Sequence, residues 1–200
     1  MRPIFLSRWI VSSLLAISMV GPALGGEATD QIRETTDKAI AVLTEPSLQG
    51  PSKADERKKL LSKIADERFD WEEMARRALA RHWAGRTEEE KREFVSLFRQ
   101  LLERTYLDKV DNYSGEKVIY EGESLDGDFG VVRAKAVTNR GEEIPVEYRV
   151  RKKGKNWLVY DISIQGVSLV NNYRTQFNSI IVSSSYKNLI RRLKAKLDED

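Results

Sequence analysis

The chain contains no cysteine and a single histidine among its 200 residues. The first absence rules out disulfides, zinc-thiolate centres and thiol nucleophiles. A secreted domain of this size tolerates that lack, because it is long enough to bury one sizeable core. The second leaves His82 alone in ARRALARHW, where a histidine among arginines reads as a surface or helix-packing residue. No G-x-S-x-G elbow, H-E-x-x-H helix, P-loop or G-x-G-x-x-G turn occurs. Asp126-Gly127-Asp128 lacks the spaced ligands of a calcium loop and reads as a hairpin turn. No pair of carboxylates stands out for acid–base work. Nor is there an excess of one charge: 34 Lys and Arg against 31 Asp and Glu give +3.

The apolar run from Trp9 to Val20 is interrupted only by Ser12, Ser13 and Ser18. It falls short of the ~20 residues that span a bilayer. Arg2 and Arg8 precede it, and Ala23-Leu24-Gly25 follows with small residues at the −3 and −1 positions of a cut. Residues 1–25 therefore read as a secretory signal peptide cleaved after Gly25, leaving 26–200 as a single domain. With no cysteine after the apolar run, the lipid-anchored form of such a leader is excluded. Removing Arg2 and Arg8 lowers the formal charge from +3 to +1. The clusters Arg76, Arg77, Arg81 and Arg191, Arg192, Lys194, Lys196 read as solvated helix faces, with docking on acidic partner proteins or anionic lipid headgroups as the alternative, and no nucleic-acid partner is expected.

From Glu27 to about Val110 the apolar residues recur at helical spacing. Ile32, Thr36, Ala39, Ile40 and Leu43 form one face ahead of Pro46. Leu60, Leu61 and Ile64 mark a second helix, and Asp70 caps a short third one. Thr87-Glu88-Glu89-Glu90 has the capping-box form and opens a helix striped by Phe94, Leu97, Phe98, Leu101, Leu102, Thr105 and Tyr106. After Tyr113-Ser114-Gly115 the period changes to two. Four strands are predicted over 116–124, 129–138, 143–152 and 156–165, joined by links short enough to demand antiparallel neighbours. Helices over 168–182 and 186–197 close the chain. The fold class is α+β, with helices packed on a curved four-stranded antiparallel sheet.

The apolar positions admit two readings, a filled core or a cavity. The candidates are Phe98, Leu101, Leu102 and Tyr106 on the long helix. On the sheet they are Val132, Ala134, Val146, Tyr148, Val150, Ile162 and Ile164. Beyond Gly166 come Val167, Val170, Tyr173 and Phe177. Asp161 faces away from the isoleucine side, toward solvent or a turn partner. The small face of 129–138 (Val132, Ala134, Ala136, Thr138) leaves room where a filled core would want bulk.

Several long blocks carry a resemblance: FDWEEMARRALARHW (Phe69–Trp83), EEEKREFVSLFRQLLERTY (Glu88–Tyr106), IPVEYRV (Ile144–Val150), WLVYDISIQGVSLVNNYRTQF (Trp157–Phe177) and the closing LIRRLK. In this order they resemble the MlaC family, also called the toluene-tolerance family, of periplasmic phospholipid-binding proteins. The resemblance implies a nuclear-transport-factor-like cone with extra helices. It implies a monomeric periplasmic shuttle with no cofactor and a bound phospholipid as cargo, acyl chains inside and headgroup largely outside. Its partners would be an outer-membrane lipoprotein–porin complex and an inner-membrane ABC transporter bearing a substrate-binding ring protein. The apolar candidates above become the expected lipid-binding residues. Val146→Trp and Val150→Trp are expected to expel lipid and keep the fold, and Ile162 to Phe177 to form one continuous apolar wall. An isomerase or dehydratase on the same cone, with Tyr148, Tyr160 and Tyr173 as its titratable groups, is the enzymatic alternative. An adaptor with a packed core and a carrier of a polycyclic lipid such as a hopanoid are the others.

Overall fold

The computed structural model of the protein describes residues 25–107 and 113–198. The expected leader therefore lies outside the described residues, apart from Gly25. Helix α1 (Glu27–Thr44) ends just before Pro46. Its N-cap is Gly26, which has no side chain to offer its first turn. The cap comes from the sheet instead: the Glu123 carboxylate accepts from both the N–H and the Oγ1 of Thr29, each at 2.7 Å. A distant residue thus satisfies an orphan donor and pins the helix to strand β1 (Lys117–Asp126).

Helix α2 (Ala54–Arg68) runs into α3 (Trp71–Leu79) through Phe69 and Asp70. Asp70 is the expected cap, its Oδ1 accepting the Glu73 N–H at 3.1 Å. The same residue donates its own N–H to the Val159 carbonyl at 2.8 Å, welding the helix junction to the sheet. The capping box of α4 (Glu88–Leu107) is also formed. Thr87 Oγ1 accepts from the Glu90 N–H at 3.2 Å, and the Glu90 carboxylate accepts from the Thr87 N–H at 2.9 Å.

Strands β1, β2 (Phe129–Val137), β3 (Glu143–Lys153), β4 (Asn156–Ile164) and β5 (Val167–Ser168) form one antiparallel sheet in sequential order. The expected class, helices against an antiparallel sheet, is the observed one. The expected strand number was four; the fifth is a two-residue return of β4 on itself. Gln165 and Gly166 carry φ of 50° and 78°, the positive pair that a two-residue hairpin requires. Ile164 consequently lies opposite Val167, and Ser163 opposite Ser168. Bulges at Tyr120/Gly122 and at Arg149/Val150 break the registers and bend the strands.

The second bulge divides the interior. Val150 faces Val159 while Arg149 faces Asp161, so Tyr160 is the extra residue. Val159 joins Ala28, Ile32, Val132, Val150 and Trp157 in a cluster beneath α1. Tyr160 joins the larger cluster formed by α3, α4, α5 (Leu169–Ser183) and α6 (Tyr186–Asp198). There Phe98 meets Tyr173 and Phe177 edge-on with centroids 5.3 and 5.5 Å apart, the preferred arrangement of aromatic quadrupoles.

Candidate functional site: an apolar cavity at the end of the sheet

The last residues of β4 do not bury their inner face. Tyr148 and Val146 of β3 lie opposite Ile162 and Ile164 of β4 and share that face with them. Farther along, the same face is closed, Val150 having no exposed surface. At this end Val146, Tyr148 and Ile162 are only half-buried, and Ile164 is 46% exposed. Between this edge and the helices lies a cavity of about 320 Å³. Its sheet wall is Ile162, Ile164 and Val167. Its helical walls are Ala65 of α2, Met74 of α3, Leu102 and Tyr106 of α4, and Leu169 of α5, with Phe69 and Trp71 at the α2–α3 corner.

Local sequence explains each wall. Phe69 and Trp71 flank the Asp70 cap, and their rings stack at 5.0 Å. The Trp71 indole N–H donates to Asp66 at 2.9 Å, which fixes the ring with its polar atom turned aside. On α5, Val170, Tyr173 and Phe177 point into the helical core, so the adjacent face of the same helix carries Leu169 and Asn172 to the cavity. Position along β4 and α5, more than residue type, decides which apolar side chain meets the hollow.

Two polar side chains besides the Tyr106 phenol join the lining, Glu103 and Asn172. Glu103 accepts from Ser62 at 2.6 Å and from Arg99 at 3.0 Å. Asn172 accepts from Gln176 at 3.2 Å. Burial raises the Tyr106 phenol, and Tyr173 adds to the effect. The lining therefore reads hydrocarbon and offers no free acid–base pair. Among the described residues no group of three or more His, Asp or Glu is placed to hold a metal. Tyr160 and Tyr173 belong to the helical cluster whereas Tyr148 packs against the other, so the three tyrosines do not form one centre. Desolvation raises the Tyr148 phenol above its ordinary value, with Tyr120 adding to it.

Helix α3, which gives Met74 to the cavity wall, is fixed by buried charge. Burial alone would raise the Glu73 carboxyl, but hydrogen bonds from Arg76 and Arg77 outweigh it and hold the group below the usual range. Arg76 binds it twice, at 2.7 and 2.6 Å, and Arg77 binds it at 2.6 Å. Arg151 of β3 reaches Asp70 at 2.6 Å, so both buried acids of the α3 start are tied to guanidinium groups.

A family model described as "MlaC protein" matches residues 33–195. The chain belongs to the MlaC family. A Haemophilus influenzae relative, named as an intermembrane phospholipid transport system binding protein, is 26% identical over 123 residues. That match spans 59% of this chain and 58% of the relative's length. A solved structure from Ralstonia solanacearum, described as a phospholipid-binding protein in complex with a phospholipid, superposes with a TM-score of 0.77. It is 28% identical and covers 87% of this chain and all of its own length.

The structure distributes the expected lipid-binding residues over three places. Leu102, Tyr106, Ile162, Ile164 and Val167 line the cavity. Phe98, Leu101, Val170, Tyr173 and Phe177 lie in the sealed helical core. Val132 and Val150 are closed beneath α1, Ala134 is buried on β2, and Val146 and Tyr148 stand half-buried beside the opening. The expected continuous wall from Ile162 to Phe177 is therefore split, because the Gln165-Gly166 hairpin turns the chain back before α5 begins. Val150→Trp strikes a filled site, against the expectation that it spares the fold. Asp161 meets the expected turn partner, accepting from Ser168 Oγ at 2.6 Å and from the Val170 N–H at 3.0 Å, but against expectation it is buried, at 6% exposed. Sequence reasoning missed Ala65, Phe69, Trp71, Met74, Leu169 and Asn172; the aromatic pair around a helix cap was the available signal.

Proposed function

We propose that this chain is a periplasmic carrier that takes the acyl chains of a phospholipid into the cavity and leaves the headgroup at its mouth. The single observation that carries the reading is a hydrocarbon-lined hollow of about 320 Å³ beside half-exposed inner-face residues of the sheet. That volume lies within the range of about 300–1,000 Å³ for ligand cavities. At about 24 cal/mol per Å³, a void of this size left unfilled would forfeit several kcal/mol of packing. Membership of the MlaC family and the likeness to a lipid-bound structure support the same cargo.

The physics of transfer follows. Each methylene taken from water gains ~0.8 kcal/mol, yet against a bilayer, which is equally apolar, that gain nearly vanishes. Such a carrier holds lipid firmly in water and returns it easily to a membrane-bound partner. In this reading the leader directs export and is cleaved after Gly25, and the carrier works as a monomer between an outer-membrane lipoprotein–porin complex and an inner-membrane ABC transporter with its ring protein. No chemistry is required of it.

The test is mass spectrometry of an organic extract from protein purified without detergent. Glycerophospholipid in molar proportion to protein is the expected result. Protein free of lipid would sink the carrier reading, and a polycyclic lipid in its place would redirect it.

A further inference from the structure

Around the N-terminal turn of α5 from the apolar cavity lies a second, open groove of about 960 Å³. The two share Val167 and Asn172 in their linings. Their characters are opposite. Arg76, Arg77, Arg149 and Arg174 line the groove, against Glu147 and Asp161 as its acids. The lining sums to two positive charges, and the charges bordering it leave that excess in place. Arg76, Arg77 and Arg151 together face two buried carboxylates, Glu73 and Asp70, which leaves one positive charge over. Glu147 is engaged with Arg133 at 3.8 Å, and Asp161 already accepts two hydrogen bonds at the start of α5. Arg149 reaches Asp161 only at 3.9 Å and is 49% exposed. Arg174 is exposed and has no ion pair among the described residues.

We infer that this groove receives the anionic headgroup of the bound lipid, and that the carrier therefore prefers phospholipids of net negative charge over zwitterionic ones. The inference rests on the reading of the apolar cavity as the acyl-chain site. Val167 and Asn172 are exposed and common to both linings, so a glycerophosphate that leaves the cavity past them enters the groove. A guanidinium matches a phosphate oxygen pair by geometry as well as charge. A zwitterionic headgroup brings its own cation, which would compete with Arg149 and Arg174. An anionic headgroup brings none. The site is open to solvent, so the effect is a bias: about two- to fivefold enrichment, as expected of partly exposed charge pairs.

The experiment incubates delipidated protein with vesicles of equimolar phosphatidylglycerol and phosphatidylethanolamine, re-isolates it, and measures both the total lipid and the ratio. The expected result is wild-type protein enriched in phosphatidylglycerol, with Arg149→Gln/Arg174→Gln carrying the two lipids at the vesicle ratio. Raised salt should shrink the wild-type bias. If the double variant does not fold, Arg174→Gln alone decides, since this exposed arginine holds no ion pair among the described residues. Lipid-loaded wild type at the vesicle ratio overturns the headgroup assignment and leaves the cavity reading standing. So does an enrichment that survives in the variant. A free-phosphate site would show inorganic phosphate raising the melting temperature of lipid-free protein with no lipid bias, and an acidic partner segment would likewise leave the ratio unbiased; both overturn it. Wild type that takes up no lipid of either kind overturns the cavity reading itself.

Discussion

The helical core and the cavity are built from the same residue types on the same elements, yet one is closed and the other is hollow. In the core Phe94, Phe98, Tyr173 and Phe177 fill the space among α3, α4 and α5 with rings meeting edge to face. One turn away on α4 and α5, Leu102 and Leu169 at the edge of that cluster, with Tyr106, line the cavity opposite β4. The difference lies in what comes across from the other side. The core receives side chains from several helices at once. The cavity is walled by helices as well, but its sheet side is only the end of a strand that turns back at Gln165-Gly166, so its walls stand apart. A hollow arises where an element stops, without any change of composition.

Several substitutions would break or sharpen that contrast. Phe98→Ala opens a void in the closed region and should cost about 3–5 kcal/mol in a denaturant titration; a loss under 1 kcal/mol would mean the core is not closed. Asp161→Ala removes the acceptor for Ser168 and the Val170 N–H, and should cost about 1–3 kcal/mol, the penalty of stranding buried donors. It tests whether the boundary between the regions depends on the start of α5. Acid should weaken α3, which contributes to both. The folded Glu73 carboxyl lies below its ordinary value near 4.5, so the unfolded chain binds that proton first. Its stabilisation is full above that value and lost as pH falls through the lower folded one. Glu73→Gln should flatten the fall of the urea midpoint below about pH 4.5; an unchanged acid limb would remove Glu73 from the account. Ile162→Trp puts bulk into the hollow region and should change stability by no more than ~1.5 kcal/mol, because it displaces lipid and not protein, while extracted lipid drops severalfold. At the small end, Val182→Ser on the 63% exposed outer side of α5 should shift the midpoint by less than ~0.5 kcal/mol.

Much of this molecule is legible in its sequence. The capping box at Thr87–Glu90, the Asp70 cap and the stop at Pro46 are local chemistry, and they appear where local chemistry puts them. Strand limits followed from the change to period two. The cavity was legible only in part. Periodicity says that Ile162, Leu102 and Phe98 are inward, and they are, but inward covers both walls and filling. No period distinguishes Phe98, at 1% exposure in the helical core, from Leu102, at 4% and against the hollow. The Glu123 cap on α1 was invisible for the same reason: it joins residues 94 positions apart.

What the sequence determined alone is the order and type of elements, the α+β class and the absence of thiol chemistry, because these follow from contacts within a few residues. Tertiary structure alone decided which apolar faces meet and which stand apart. It also decided where Asp161 is buried and how four arginines come to share one groove beside an apolar mouth. Those outcomes depend on a bulge at Tyr160 and a two-residue turn, each of which redirects every side chain after it, and a one-residue change of phase sends a strand's residues to opposite faces.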